Sequence, residues 1–428
     1  MRKYRYTGII VLALIVLFMG TLLFLKNATV FSAERKIEGI EEAAISFEEF
    51  TIPKDVRVVG IGEATHGNRE FQTVKQEVFE KMVKEGNGRA ICFEMTAGEA
   101  AVYNDAVHEN ETNLTDLIAS TDYPLYDTAQ IVDLLTWMRE YNQTVPYEQS
   151  LMIYGVDMQG AERSVEYLKS YSGKNPQALT AQEQEGLQRV TTETEEEKKA
   201  AETFFDAMEK RLAAADDMES ALLRVHAQVI LQALRAPSYE ENPAENSNYR
   251  DNSMAENLKS YSDIEQCRGY SQILITAHNG HTMKGSSTNY TDEDMLTMGE
   301  RINRLFEGSY YCIGTEFYLA TVNIHTAGTY DDAYERADHD FCSDDILAYQ
   351  AQFFEGGRYC LDFRKITDEN SKVYQTIHSR IFTGLVGEGY NLLGEAASKN
   401  YRMRLVPVNR YDAMIYYYQA TPIDPIHY

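Results

Sequence analysis

Residues 56–67 read VRVVGIGEATHG. Apart from Arg57, the first seven are β-branched, aliphatic or glycine, the composition of a strand buried on both faces. Gly62-Glu63-Ala64-Thr65-His66-Gly67 then breaks the strand. Beyond it, Phe71, Val74, Val78, Met82 and Val83 recur on one face of a helix for which Gly86 is the expected C-cap. A buried strand, a loop carrying two ionisable residues and an amphipathic helix form the opening unit of an α/β fold. The unit repeats. AICFEM (90–95), LMIYGVD (151–157) and QILITAH (272–278) are further buried strands, and YYCIGTEFYLATV (310–322) and AMIYYY (413–418) continue the series. Alternating strands and helices predict a mostly parallel central sheet flanked by helices.

Residues 161–265 break this rhythm. They are acidic and helical, with Met218, Leu222, Val225 and Val229 as an apolar stripe ahead of Pro237. The expectation is a helical insertion roofing the active-site cleft. The Glu-rich stretch 193–197 reads as a solvated helix face.

The chain carries 40 Lys and Arg against 66 Asp and Glu, a net charge of -26. No basic excess exists to neutralise phosphates, so nucleic acid is excluded as a partner. Residues 1–33 stand apart from the catalytic domain expected over 34–428. Arg2, Lys3 and Arg5 precede an uncharged run, Gly8 to Leu25, closed by Lys26. As a helix that run spans about 27 Å, near the thickness of a hydrocarbon core. The basic flank predicts a single-pass membrane anchor with residue 34 onward extracytoplasmic. A cleaved signal peptide is the alternative, with Phe31 two residues before Ala33 in place of a small-x-small site. Five scattered cysteines (Cys92, Cys267, Cys312, Cys342, Cys360) contain no CxxC pair. Cys92 and Cys312 lie within strand-like runs as buried small hydrophobes, and one disulfide among the other three is compatible with an extracytoplasmic setting.

Ligands of a parallel sheet bind outside the carboxyl ends of its strands. Here those ends carry Glu63 and His66, then Glu94, then Asp157, then His278 and His281. Such a set suits hydrolysis. A neutral imidazole takes a proton from water as it attacks an ester carbonyl, and a carboxylate on the other ring nitrogen fixes the tautomer. A second histidine or a backbone N–H supports the oxyanion. Each residue also has a structural reading. Glu63 could cap the following helix, Asp157 the element after its strand, and His278 and His281 could bracket a turn at Asn279-Gly280. Arg250 could pair locally with Asp251, and Trp137 and Tyr141, four apart on a helix, read as core.

The motifs VGIGEATHG, CFE, WMREYN (137–142), GVDMQ (155–159), RDNSMAEN (250–257), AHNGH (277–281) and RYDAMIYYYQATP (410–422) resemble, in order, those of the erythromycin esterase family, over about residues 50–425. The resemblance implies a helical roof over a deep cleft and hydrolysis of a cyclic ester by activated water, without a required metal or other cofactor. It implies His66 as general base, Glu63 and Glu94 as its carboxylate partners, and His278 and His281 on the opposite wall. Lys75, Asp157 and Arg250 are the candidate substrate contacts. The family commonly has arginine where this chain has Lys75, and lysine cannot reproduce a bidentate fork. Macrolide-inactivating members act in the cytoplasm, so an anchored enzyme points to another small-molecule ester or lactone, or to a cell-envelope substrate. Two rival functions are a metal-dependent hydrolase or peptidase using the same His/Glu set, and a non-catalytic surface binding protein.

Overall fold

Ten strands are present among the described residues: β1 (Val58–Glu63), β2 (Gly88–Thr96), β3 (Met152–Asp157), β4 (Gln272–His278), β5 (Tyr310–His325), β6 (Arg336–Cys342), β7 (Arg358–Asp362), β8 (Ile381–Gly384), β9 (Arg402–Leu405) and β10 (Ala413–Ala420). The computed structural model describes residues 2–27, 35–121, 125–286, 295–326, 335–390 and 401–426, and within 2–27 the side chains of 9–21 only. The main sheet runs β3-β2-β4-β1-β5-β10-β7, with β6 paired to β5. Strands β3, β2, β4, β1, β5 and β10 are mutually parallel, while β7 and β6 are antiparallel additions. β8 and β9 form a separate antiparallel ribbon. The fold is therefore mixed α/β around a mostly parallel sheet.

Period two along the strands sorts the core into two layers. On β2, Ala90 and Cys92 pack with Met254 and Leu258 of the helix Pro243–Cys267. Ile91 and Phe93 pack on the other side with Phe71, Val74 and Val78 of the helix Arg69–Glu85. On β1, Val59 and Ile61 face that second layer, so the alternation aims Glu63 at the helix Arg69–Glu85. Its end is set by Gly86, whose N–H donates to the Met82 carbonyl.

The segment 161–265 holds five helices, Glu162–Lys174, Ala181–Arg189, Glu195–Ala213, Met218–Arg235 and Pro243–Cys267. The apolar stripe on the fourth is shorter than its sequence suggests. Val225 and Val229 are buried, but Met218 is 43% exposed because it occupies the first turn, beyond the packed layer. Trp137 is part-buried and meets Phe79 edge-on at 5.6 Å, a packing role. All five cysteines are free thiols, Cys92, Cys312 and Cys360 being buried.

The expected membrane anchor over residues 8–25 is corrected, and with it the single-pass, extracytoplasmic placement. Among the described residues no helix is long and apolar enough to cross a membrane. A helix covers Arg2–Asn27, and its described side chains, residues 9–21, are exposed. The alternative cleavage site at Phe31 and Ala33 lies outside the described residues.

The loop after β1 needs its glycines for close approach. A Cβ on Gly62 would sit 2.2 Å from Asn279 Oδ1, and one on Gly67 would sit 2.0 Å from the Asn323 carbonyl oxygen. The second obstacle is backbone. The Gly67 carbonyl also accepts from the N–H groups of Asn323 and Ile423, both at 3.1 Å, which locks the loop against β5 and the chain after β10. Gly67→Ala is therefore expected to lose about 1–3 kcal/mol of stability in urea unfolding. An unchanged midpoint would mean that the loop is free to shift.

Candidate active site

Glu63 and His278 are register partners on adjacent parallel strands, which brings the loop after β1 against the turn after β4. His66 follows from that loop, and its ring lies 5.3 Å from the ring of His278. Its Nδ1 is 3.3 Å from Glu63 Oε2. Glu63 is fully buried and saturated with donors. Gln72 reaches Oε2 at 2.9 Å, while Lys75 Nζ and Thr276 Oγ1 reach Oε1 at 2.6 and 3.0 Å. Gln72 and Lys75 are one helical turn apart, and Lys75 also donates to Gln72 at 2.7 Å. The Lys75 ammonium is buried over the ring of Tyr126, 4.9 Å from its centroid. The structure thus places Lys75 behind Glu63, where it meets a carboxylate of the protein.

Glu94 occupies an irregular stretch of β2, where Phe93 pairs with Gly155 but Thr96 already pairs with Asp157. One extra residue is accommodated there, a bulge of the kind that re-aims side chains at sites. Glu94 Oε2 accepts from the His278 backbone N–H at 2.9 Å, and Oε1 accepts from Arg250 Nη2 at 2.8 Å. Arg250 comes from the helix Pro243–Cys267, and its guanidinium also clasps Asp157, with Nε 3.0 Å from each carboxylate oxygen. Asp157 accepts in addition from the N–H groups of Met158 and Gln159, so it is buried and fully engaged. Arg250 and Asp251 do not pair with each other. Asp251 instead holds His281 Nδ1 at 2.5 Å and accepts from the Met298 N–H at 3.1 Å.

The candidates therefore converge as two linked groups. Glu63, His66 and Lys75 form one, Glu94, Asp157, Arg250 and His281 the other, with His278 between them. Besides Thr276 and the backbone donors, three participants escaped the sequence reading. Gln72 had a signal, since it shares a helix face with Lys75. Asp251 had one in its place beside Arg250. The third, the Val386 carbonyl, had none: it accepts from His278 Nε2 at 3.1 Å, and backbone polarity at a distant loop leaves no trace in side-chain pattern.

The electrostatics separate the three histidines. Burial pushes the Glu63 carboxyl up, but the Lys75 charge and then the His66 contact hold it down at about 2. Burial works against protonated His66, yet the Glu63 hydrogen bond and charge, aided by Glu94, raise it above the ordinary imidazole value. With Glu63 ionised, Nδ1–H donates to it and the Nε2 lone pair is left to accept a proton. His278 is the opposite case. Burial and then the neighbouring His66 charge lower it to about 4. Its Nδ1 accepts from the Gly280 N–H at 3.2 Å, so the neutral ring carries its proton on Nε2 and donates to Val386. Glu94 is held low, the His281 and Arg250 charges outweighing its burial.

His281 is lowered by burial but raised overall to about 9 by Asp251 and then Glu94. Its Nε2 lies 3.3 Å from Glu94 Oε1 and 3.2 Å from Arg250 Nη1. Once Nε2 is protonated the arginine contact is repulsive, and the two carboxylates outweigh it. Because folding raises this value from 6.5 to about 9, the charged ring stabilises the fold fully below the lower figure, and that contribution fades as pH rises through the higher one. The stability gap between the parent and His281→Asn is expected to shrink from about pH 6 to about pH 9.5 in thermal melts. A constant gap would show that the ring does not change charge there.

Among the described residues, no three His, Cys, Asp or Glu side chains are arranged to hold a metal ion. The class so defined is an α/β protein with a buried histidine–carboxylate site at the carboxyl ends of parallel strands. A family model described as erythromycin esterase matches residues 83–420, and the chain belongs to the erythromycin esterase family, a family of esterase-like hydrolases. Glu94, Asp157, Arg250, His278 and His281 lie inside the matched span, while Glu63, His66 and Lys75 precede it.

Three solved structures share the fold. A Bacillus cereus protein is 21% identical, with a TM-score of 0.68 over 87% of this chain and 91% of its own. A succinoglycan biosynthesis protein is 16% identical, with a TM-score of 0.67 over 90% of this chain and 97% of its own. A histidine-to-asparagine mutant of the erythromycin esterase EreC, in its open conformation, is 14% identical, with a TM-score of 0.60 over 95% of this chain and 98% of its own.

Proposed function

We propose that the protein hydrolyses a carboxylic ester or lactone with water activated by His66. The observation that carries this reading is the Glu63–His66 contact at 3.3 Å, on a carboxylate that Lys75 keeps ionised against its burial. His66 Nε2 takes a proton from water as the oxygen adds to the ester carbonyl. Glu63 stabilises the imidazolium that forms. Protonated His281, beside neutral His278, supports the negative charge developing on the carbonyl oxygen. Collapse breaks the carbon–oxygen bond, the proton passes from His66 to the leaving alkoxide, and a carboxylic acid and an alcohol remain. In this reading Lys75, Asp157 and Arg250 are positioning residues. Lys75 fixes Glu63, while Asp157 and Arg250 orient Glu94 and His281.

The test is a panel of esters and lactones, macrolides included, incubated in ¹⁸O-labelled water. The expected result is one labelled oxygen in the product carboxylate and a rate unchanged by exhaustive chelation. Failure to open any ester or lactone would overturn the assignment. A rate abolished by chelation and restored by a divalent cation would transfer the water to a metal.

A further inference from the structure

Away from the histidine cluster, a cleft of about 610 Å³ lies between residues 35–38, the helix Lys372–Ile377 and the β8–β9 ribbon. Its walls reverse the charge of the molecule. Lys and Arg make up 40 of 428 residues in a chain of net charge -26, yet five of the 14 residues lining the cleft are Arg35, Lys36, Lys372, Arg380 and Arg404. Of the five, Lys36 is neutralised by Glu41. Asp344 is spent on the buried Arg402, so Glu38 is the remaining carboxylate of the lining.

Two of these cations are held side by side. Arg380 Nη2 donates to the Arg404 carbonyl at 3.1 Å, and Arg404 Nη2 donates to the Arg380 carbonyl at 3.3 Å. Arg404 also lies over the Phe382 ring, 5.1 Å from its centroid. A guanidinium has five N–H donors in a planar fork, a geometry that suits a phosphate or carboxylate. The volume exceeds what a bare inorganic ion fills and falls in the range of small-molecule sites. Gln375, Thr376 and Ser379 add neutral hydrogen-bonding groups on the helix side.

We propose that this cleft is a second ligand site, specific for a small organic polyanion that carries phosphate or several carboxylates. The inference is independent of the hydrolytic reading, because no residue of the histidine cluster lines the cleft. The probes are inorganic pyrophosphate and citrate, titrated calorimetrically into the full chain at constant ionic strength, with glycerol as neutral control. At least one anion is expected to bind with Kd below about 1 mM, and glycerol not at all. Preference for pyrophosphate assigns a phosphate ligand, and preference for citrate a polycarboxylate. Arg404→Gln and Lys372→Gln alter exposed side chains and are each expected to weaken binding about tenfold or more while leaving the melting temperature of the free protein unchanged. Absence of binding by the parent at about 10 mM anion, or binding unaffected by both substitutions, would overturn the proposal.

Discussion

Replacing His66 by glutamine is expected to lower kcat about 10²–10⁴-fold while leaving the melting temperature near that of the parent. Glutamine keeps a hydrogen bond to Glu63 but has no basic nitrogen. The residue sits in a loop anchored by Gly67 and Asn68, whose backbone and side-chain bonds to β5 and the chain after β10 do not involve the imidazole. Chemistry and fold should therefore separate. Because the Glu63 environment raises His66, the acid limb of the parent's pH–rate profile should lie above the ordinary imidazole value, and rate should fall as protonation removes the base. A variant with near-parental kcat would remove His66 from the reaction. One that loses activity only by unfolding would make it structural.

Glu63→Gln should behave differently, losing stability as well as turnover. The Glu63 and Lys75 side chains are both 0% exposed and 2.6 Å apart. The substitution leaves an ammonium buried against neutral acceptors, the new amide oxygen and Gln72 Oε1, with no counter-charge on residue 63. Breaking a buried pair from one side costs about 3–5 kcal/mol. That is a large share of the roughly 5–15 kcal/mol that holds a domain folded. The double variant Glu63→Gln, Lys75→Met removes both charges and is expected to recover most of the lost stability in urea unfolding but none of the activity. If the single variant is as stable as the parent, Lys75 is not held by Glu63. If the double variant regains turnover, the carboxylate does not assist His66.

Much of this architecture is visible in the sequence because it depends on local periodicity. QILITAH (272–278) coincides with β4, since the apolar run at 273–275 marks a strand buried on both faces and Asn279-Gly280 cuts it off sharply. The strand-end rule then directs attention to Glu63, Glu94 and His278. What pattern could not reveal was which partner each side chain takes. Arg250 stands next to Asp251, yet neighbours on a helix point about 100° apart, so one reaches Asp157 and Glu94 while the other reaches His281. Lys75 is a candidate substrate contact through the family resemblance, at a position where the family commonly has arginine. The register of its helix turns the ammonium inward, under Glu63. The N-terminal run misled by composition: hydropathy and basic flanks satisfy the anchor pattern, whereas among the described residues no helix is long and apolar enough to cross a membrane.

Glu63 is expected to hold His66 as a base poised on Nε2. Nitrogen-15 NMR of the imidazoles, titrated without substrate and assigned by His66→Gln, reads this directly. The neutral ring of His66 should carry its proton on Nδ1 and should titrate above the ordinary imidazole value, while His278 stays neutral with its proton on Nε2 down to about pH 4. A His66 ring protonated on Nε2, or one titrating at or below the ordinary value, would contradict the account.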